Sequence, residues 1–586
     1  MEKDDESIED SYDDSSDEQE EDEDSIEDTL TLMKHQVKHF RKISKILEKD
    51  ISYLDTSEMG TGKTVIAMAL CLTLDLDLFV ICNKSNIPHW RRHCRKYGVK
   101  LVDILNYEKL RGTRDSDLKH PYLKKFAQIG KKHPKYVATK AFREIAASGT
   151  LFIFDESQKT KNDNLQLRSC HALVREVVAV SKRGYKEGPR SKIGILSATP
   201  GEDRSHASSL LKMLGIITKD ELYSYDHASK VYHLEGLKQA IDYCSKIDHK
   251  VTVYFRCQKI NKTTIPNIAL QLFNKVVRKT RASRMPKLKK KFDLDCKNLY
   301  GIMNEEDTEL LARGISNLSR ATNYNSSKQE VQIDQNSFGA ITSCLIEIEK
   351  AKYNMAIRHG KRILDTTKKG KVVLFFNYKE NIYRAKKMFK SLGYRVLVLT
   401  GDREFQKPEI RQQIIDRFNR RDTKYRILLT NKEVGGNGVD LDDVDGSFPR
   451  YVFMSPDYKI GPMHQATGRF YRTNTKSLSG KDIYIRVLYS INYHYENSIL
   501  RALARKTRYA KQLHGNAFDG DEKKDIIMPG EYFIEAEVEE GKFIDEFHIT
   551  EDDCTKYPLL YKLVLFVNDF REKIEKEKTE NEEVNI

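Results

Sequence analysis

Short apolar runs, each ending at polar residues, recur along two stretches of the chain. In the first stretch they are LFVICN (78–83), LFIFDE (151–156) and KIGILSAT (192–199). In the second they are KVVLFF (371–376), YRVLVLTGD (394–402), YRILLTN (425–431) and RYVFMS (450–455). Runs that are apolar on both faces, with helical patterns between them, predict strands buried in parallel sheets of an α/β fold. Functional residues are expected at the C-terminal ends of such strands. From 215 to 360 the rhythm stops, and the pattern is charged and mostly helical. The pattern predicts an acidic tail over 1–28, an α/β lobe over 29–215 and a helical, basic insertion or linker over 216–360. A second α/β lobe then covers 361–500, and a C-terminal extension with no recognisable module covers 501–586.

Charge changes this picture at both ends of the scale. Residues 1–28 hold 17 acids against one lysine, so against a whole-chain charge of +14 the remainder carries +30. The tail is expected to be disordered. It reads as a solubilising segment or as a DNA mimic competing for the basic body. A body so basic suggests a polyanion partner, although a lysine-rich solvated surface gives the same total. The run KVVRKTRASRMPKLKKKF (275–292) stays open between a DNA contact, a nuclear import signal and a solvated helix. No apolar run reaches the roughly 18 residues a membrane span needs. The acidic N-terminus does not read as a signal peptide. The nine cysteines, scattered from Cys71 to Cys554, form no C-x-x-C pair, so neither a zinc site nor a disulfide frame is expected. Reduced intracellular thiols are the simplest reading.

The chemistry concentrates at the strand ends. SEMGTGKTVIAMAL (57–70) is a glycine-rich loop opening an apolar helix, with Glu58, Met59, Gly60, Thr61, Gly62, Lys63 and Thr64 placed to cradle phosphates. Lys63 would reach the β- and γ-phosphates of ATP, and the Thr64 hydroxyl would ligate Mg²⁺. Asp155 closes an apolar strand and is expected to hold the same Mg²⁺, with Glu156 polarising the attacking water. Gln36, upstream of the loop, offers both a donor and an acceptor to adenine. In the second lobe, HQATGRFYR (464–472) supplies Gln465, Arg469 and Arg472, arginines suited to charge on a transferring phosphate. Gly435, Gly436 and Gly438 are expected to allow close approach to a phosphate, with Asp440 orienting neighbours across the cleft.

The order of HQ, EMGTGKT, DESQ, LSATP, VVLFF, GGNGVDL and QATGRFYR resembles a superfamily 2 helicase. DESQKTKN, NIPHWRRHCRKY (86–97) and YFRCQKINKTTIP (254–266) are similar to segments of the Snf2-like branch and of helicases from cytoplasmic DNA viruses and linear plasmids. GRFYRTNTKS departs from the branch's usual second-lobe ending. The resemblance implies two tandem RecA-like lobes and a DNA-dependent ATPase, with ATP and Mg²⁺ bound between the lobes. It implies coupling by Ser197, Ala198 and Thr199. It also implies nucleic-acid contacts at Asn83, Lys84, Tyr107, Asn377, Tyr378, Thr400 and Thr430. Gln158 stands where many relatives carry His, and is expected to link the γ-phosphate to the second lobe. The expected partner is DNA, with RNA as the alternative, and RNA polymerase or replication machinery around it. A monomer serving a cytoplasmic viral or plasmid genome is the expected setting, with the nucleus as the alternative. A nucleic-acid-binding transcription subunit with incidental ATPase is the rival of another class.

Overall fold

The computed structural model describes residues 30–513 except 59, 113–117, 129–132, 184–189, 252–259, 287–293, 302–304, 322, 326–329, 333–337, 406, 437–438, 458, 471–474, 476–482, 491–505, 507–508 and 511. The acidic tail, Met59, Gly438, Arg472 and most of the C-terminal extension therefore lie outside the described residues.

Two six-stranded sheets, every pairing parallel, organise the chain. The first contains β1 (Ser52–Asp55), β2 (Asp77–Cys82), β3 (Leu101–Asn106), β4 (Thr150–Asp155), β5 (Lys192–Leu196) and β6 (Ala282–Ser283), in the order β6-β1-β5-β4-β2-β3. The second contains β7 (Leu294–Gly301), β8 (Lys371–Phe375), β9 (Val396–Leu399), β10 (Ile427–Thr430), β11 (Arg450–Met454) and β12 (Ile483–Ser490), in the order β7-β12-β11-β8-β10-β9. These are the two α/β lobes that the sequence pattern predicts.

Period-two geometry sends neighbouring residues of each strand to opposite faces. Phe79, Ile81, Phe152 and Phe154 enter one apolar cluster, while Leu78, Val80, Leu151 and Ile153 enter another on the opposite face. In the second lobe, Val373, Phe375, Leu428 and Met454 separate in the same way from Val372, Leu374, Leu429 and Phe453. Both faces are buried, which is why these strands lack polar alternation.

Residues 216–360 do not stand apart as one insertion. Ile265, Ile268, Phe273 and Val277 join the cluster that holds Phe152, and β6 adds an edge to the first sheet beside β1. A few residues later, β7 adds an edge to the second sheet beside β12. The chain therefore changes lobe between β6 and β7. Among the described residues of the extension, Ala510 packs in the second lobe's core and Leu513 in the first lobe's, so this segment bridges the two.

Within the basic run 275–292, Arg281 is structural, while Lys275 and Lys279 are exposed. Arg281 is buried, with Nη2 2.6 Å from Asp50 Oδ1, Nη1 2.7 Å from Ser52 Oγ and Nε 2.9 Å from the Tyr243 hydroxyl. Its guanidinium also lies over the Tyr243 ring. This arginine is not available to a polyanion; it pins the edge strand. Arg281→Ala is expected to destabilise the first lobe by roughly 1.5–3 kcal/mol, the range for hydrogen bonds to a charged group. Urea unfolding followed by circular dichroism measures it, and an unchanged midpoint counts against the pinning role.

Candidate active site

The phosphate loop leaves the end of β1 and runs into α2 (Lys63–Leu74). Gly62, the N-cap of α2, has a φ of 94°, and a Cβ there would lie 2.2 Å from Gln36 Nε2. Glycine is required twice at that position, by backbone hand and by space. Lys63 Nζ donates to the carbonyls of Ser57 at 2.9 Å and Glu58 at 3.0 Å, folding the ammonium over its own loop. The Thr61 hydroxyl donates to the Glu58 carbonyl at 2.7 Å. Thr64 sits half-buried in the first turn of α2.

Helix α1 (Lys34–Lys49) clamps this loop from one side. Gln36 Nε2 donates to the Thr61 carbonyl at 3.1 Å, and Gln36 Oε1 accepts from the Met33 N–H at 2.9 Å. The Gln36 amide is thus bonded to the loop and to its own helix start, not turned outward. His39, one turn on and buried, has Nε2 2.9 Å from Asp55 Oδ2 and Nδ1 2.9 Å from Ser283 Oγ. Asp55 Oδ1 accepts from the Ser57 N–H at 2.8 Å, and Ser57 Oγ accepts from the Met285 N–H at 2.8 Å. Burial alone raises the Asp55 carboxyl, but His39, Lys63 and Ser57 outweigh it and hold the group below the usual carboxylate range.

Asp155 ends β4. Its Oδ2 accepts from Trp90 Nε1 at 3.0 Å and Asn86 Nδ2 at 3.2 Å, and its backbone carbonyl accepts from the Tyr107 hydroxyl at 2.8 Å. Burial, then the neighbouring Glu156, push the Asp155 carboxyl up to about 6, against the pull of Trp90, Lys63 and Asn86. Glu156 has a φ of 56°, a left-handed conformation that a residue with a Cβ adopts only under constraint.

The constraint is a chain of hydrogen bonds. Gln158 Nε2 donates to Glu156 Oε2 at 2.6 Å. The Ser197 hydroxyl donates to Gln158 Oε1 at 2.6 Å, and the Thr199 N–H donates to Ser197 Oγ at 3.2 Å. Ala198 lies buried between them. From the second lobe, Gln465 Nε2 reaches Glu156 Oε2 at 3.4 Å. Further along, Lys161 pairs with Glu202, and His206 Nε2 lies 3.1 Å from Asn162 Oδ1. His206 Nδ1 accepts from the N–H groups of Glu202 and Asp203 at 3.0 and 3.1 Å. Burial and then Lys161 push the His206 imidazole down to about 4. The Ser157 and Thr199 hydroxyls are buried with no partner among the described residues.

Several expected positions do other work. Arg469 is buried, and its Nε donates to the Gly436 carbonyl at 2.7 Å. A Cβ on Gly435 would lie 2.7 Å from Thr430 Cγ2, and one on Gly436 2.4 Å from the Lys432 carbonyl. Their small size therefore serves the lobe's own packing. Asp440 is exposed, and its backbone carbonyl accepts from Asn419 Nδ2. Tyr107, Thr400 and Thr430 are fully buried, the last two with hydroxyls bonded to Asp402 and to the Leu399 carbonyl. These three present no surface to a nucleic acid in this arrangement. Asn83 and exposed Lys84 begin a short helical turn after β2. The Asn377 and Tyr378 N–H groups both donate to Glu349. His39, Asp55, Asn86 and Trp90 are site residues that motif reading passed over. The one available signal was that the chain contains a single Trp.

Residues 355–474 match the family described as helicase conserved C-terminal domain. The putative ATP-dependent RNA helicase L364 of Acanthamoeba polyphaga mimivirus is 25% identical over 503 residues, 83% of this chain and 84% of that protein. The DNA repair and recombination protein RAD54 of Saccharomyces cerevisiae is 30% identical over 135 residues, 23% of this chain and 14% of that protein. Among solved structures, the Sulfolobus solfataricus SWI2/SNF2 ATPase core in complex with dsDNA aligns over 83% of this chain and 97% of its own, at 15% identity and a TM-score of 0.27. The fold is read from the two sheets above and not from that alignment.

Two outcomes test the geometry. His39→Ala leaves a buried carboxylate without its partner and is expected to cost about 3–5 kcal/mol of stability, read from urea melts. Trp90, the single Trp, donates to Asp155. Its emission is expected to change on adding ATP with Mg²⁺, and to stay constant in Lys63→Ala.

Proposed function

We propose that this chain, a Snf2-like superfamily 2 helicase related to viral helicases, works by tracking along DNA between two lobes that close on ATP. It is an ATP-hydrolysing helicase or translocase. The observation that carries the tracking mechanism is the hydrogen-bond chain from Thr199 through Ser197, Gln158 and Glu156 to Gln465. It joins a strand-end acid of the first lobe to a helix of the second.

The residues suit ATP and Mg²⁺. Gly62 gives the loop a left-handed turn without a Cβ that would meet Gln36, Lys63 an ammonium held over the loop, and Thr64 and Asp155 the oxygen donors that Mg²⁺ prefers. Thr64 and Asp155 would hold Mg²⁺, which would supply positive charge against the phosphates. Lys63 exchanges its two loop carbonyls for phosphate oxygens. Glu156, held at an enforced φ, orients the attacking water and accepts its proton. Gln158 donates to Glu156 and accepts from Ser197, which a neutral amide does at any pH. The sequence-based role for Gln158, a link to the second lobe, thus becomes indirect: Gln465 makes the crossing and Gln158 holds what it meets. On closure, Arg469 would leave the Gly436 carbonyl for the γ-phosphate, Arg472 stays the sequence-based candidate for the same charge, and Gln36 remains the candidate for adenine. Hydrolysis removes the charge these arginines meet, and the lobes reopen.

The RAD54 match and the basic body support DNA, and the mimivirus relative supports a viral genome as the setting. We place the chain in the cytoplasm as a monomer, serving transcription or replication. No helix among the described residues is long and apolar enough to cross a membrane. RNA is the second reading, favoured by the name of the mimivirus relative.

ATPase rates with no nucleic acid, single-stranded DNA, duplex DNA and RNA decide between these. Stimulation by DNA is expected. Stimulation by RNA alone overturns the DNA assignment, and tight DNA binding without stimulation favours a binding subunit. Lys63→Ala and Glu156→Gln are expected to abolish turnover. Gln158→Glu sets a second carboxylate against Glu156 and is expected to lower turnover by about 10²-fold or more while ATP still binds.

A further inference from the structure

Glu349 lies on the helix Phe338–Ala351, outside every motif described above, and is 4% exposed. Its Oε1 accepts from the Asn377 N–H at 2.6 Å, and its Oε2 from the Tyr378 N–H at 3.1 Å and Asn381 Nδ2 at 2.9 Å. Tyr378 is the N-cap of the helix Lys379–Ser391 that follows β8. One anion, two oxygens and two successive N–H groups at a helix start is the arrangement by which chains hold phosphate. The seat opens into a cavity of about 360 Å³ at the ends of β8, β10 and β11, lined among others by Lys352, Lys432, Lys459 and Asp457. Lys432 is buried there, bonded to Asn377 Oδ1 and to the Ser455 carbonyl. Lys459 reaches Glu433 at 2.9 Å.

We propose that Glu349 is a built-in stand-in for a backbone phosphate, and that a nucleic-acid strand engages the second lobe by displacing it. The inference rests on the tracking function above and adds a control to it. With Glu349 seated, Asn377 and Tyr378 have no N–H to offer a phosphate, so the second lobe grips weakly. Withdrawal of the carboxylate frees both N–H groups and leaves the nearby lysines facing a strand. The helix Phe338–Ala351 then moves with the grip, because it carries the displaced side chain. The partner chemistry we assign to the seat so vacated is a phosphodiester, singly charged and tetrahedral, with two oxygens to present in place of the carboxylate's.

Glu349→Gln preserves shape and removes the charge. Anisotropy of labelled single-stranded and duplex DNA, measured over a range of salt, is the readout. About tenfold tighter binding is expected, with the log–log salt slope steeper by about one unit for the added phosphate contact. A variant that melts like wild type and binds no tighter overturns the proposal. Should the variant not fold, hydrogen–deuterium exchange on the wild-type full chain decides. Peptides covering 338–351 are expected to exchange faster when DNA is bound, and unchanged or slower exchange overturns the proposal. Wild-type protein that binds neither DNA nor RNA instead overturns the tracking function itself.

Discussion

Two carboxylates, one buried and one half-buried, stand at strand ends of the same parallel sheet, and each must be compensated or become neutral. Asp55 and Asp155 end β1 and β4, with β5 between them. Their environments push them apart. Asp55 faces His39 and is held as a firm anion, so its charge is committed to the fold. Asp155 has neutral donors, Trp90 and Asn86, and an acid for a neighbour, so its carboxyl rises to about 6. The same sheet therefore commits one acid to the fold and leaves the other, by the partners packed at its strand end, as the one proposed to meet a metal.

The strain at Glu156 follows from that placement. The chain must leave β4 directly under the phosphate loop and still aim a carboxylate into the cleft. A left-handed turn at Glu156 achieves this at a cost of about 1–3 kcal/mol. Gln158 and Ser197 offset it with short hydrogen bonds. Because Ser197 N–H also donates to the Asp55 carbonyl, the strained acid and the structural acid belong to one network. Gln465 then brings the second lobe to the most constrained residue of the first.

The strands buried on both faces were legible because their whole length is apolar, as in LFIFD and KVVLF. Three of the four edges were not. β3 carries Asp103 at a half-buried position, β6 has two residues, and β7 carries Asp295 and Lys297. Edge strands meet less core, so their residues are less constrained and the pattern weakens. The residues proposed to meet ATP stand in recognisable motifs because phosphate and metal demand particular atoms. Supports such as His39 and Trp90 were not, since a buried donor is defined by what it faces and not by its neighbours in sequence. Tyr107, Thr400 and Thr430 misled in the opposite direction. A polar residue beside a strand end looks exposed until packing shows its hydroxyl spent inside.

The change of lobe between β6 and β7 has a mechanical meaning. Ser283 and Met285 hold the phosphate loop through His39, Thr56 and Ser57. The chain then reaches Leu294, the first residue of the second sheet's edge strand. Met285 itself donates its N–H to Ser57 Oγ in the phosphate loop. Gln465 reaches Glu156 by a side chain, and Met285 reaches the phosphate loop by its backbone N–H. Both contacts sit at the ends and edges of the sheets, so the proposed movement of the lobes would change them without unpacking either core.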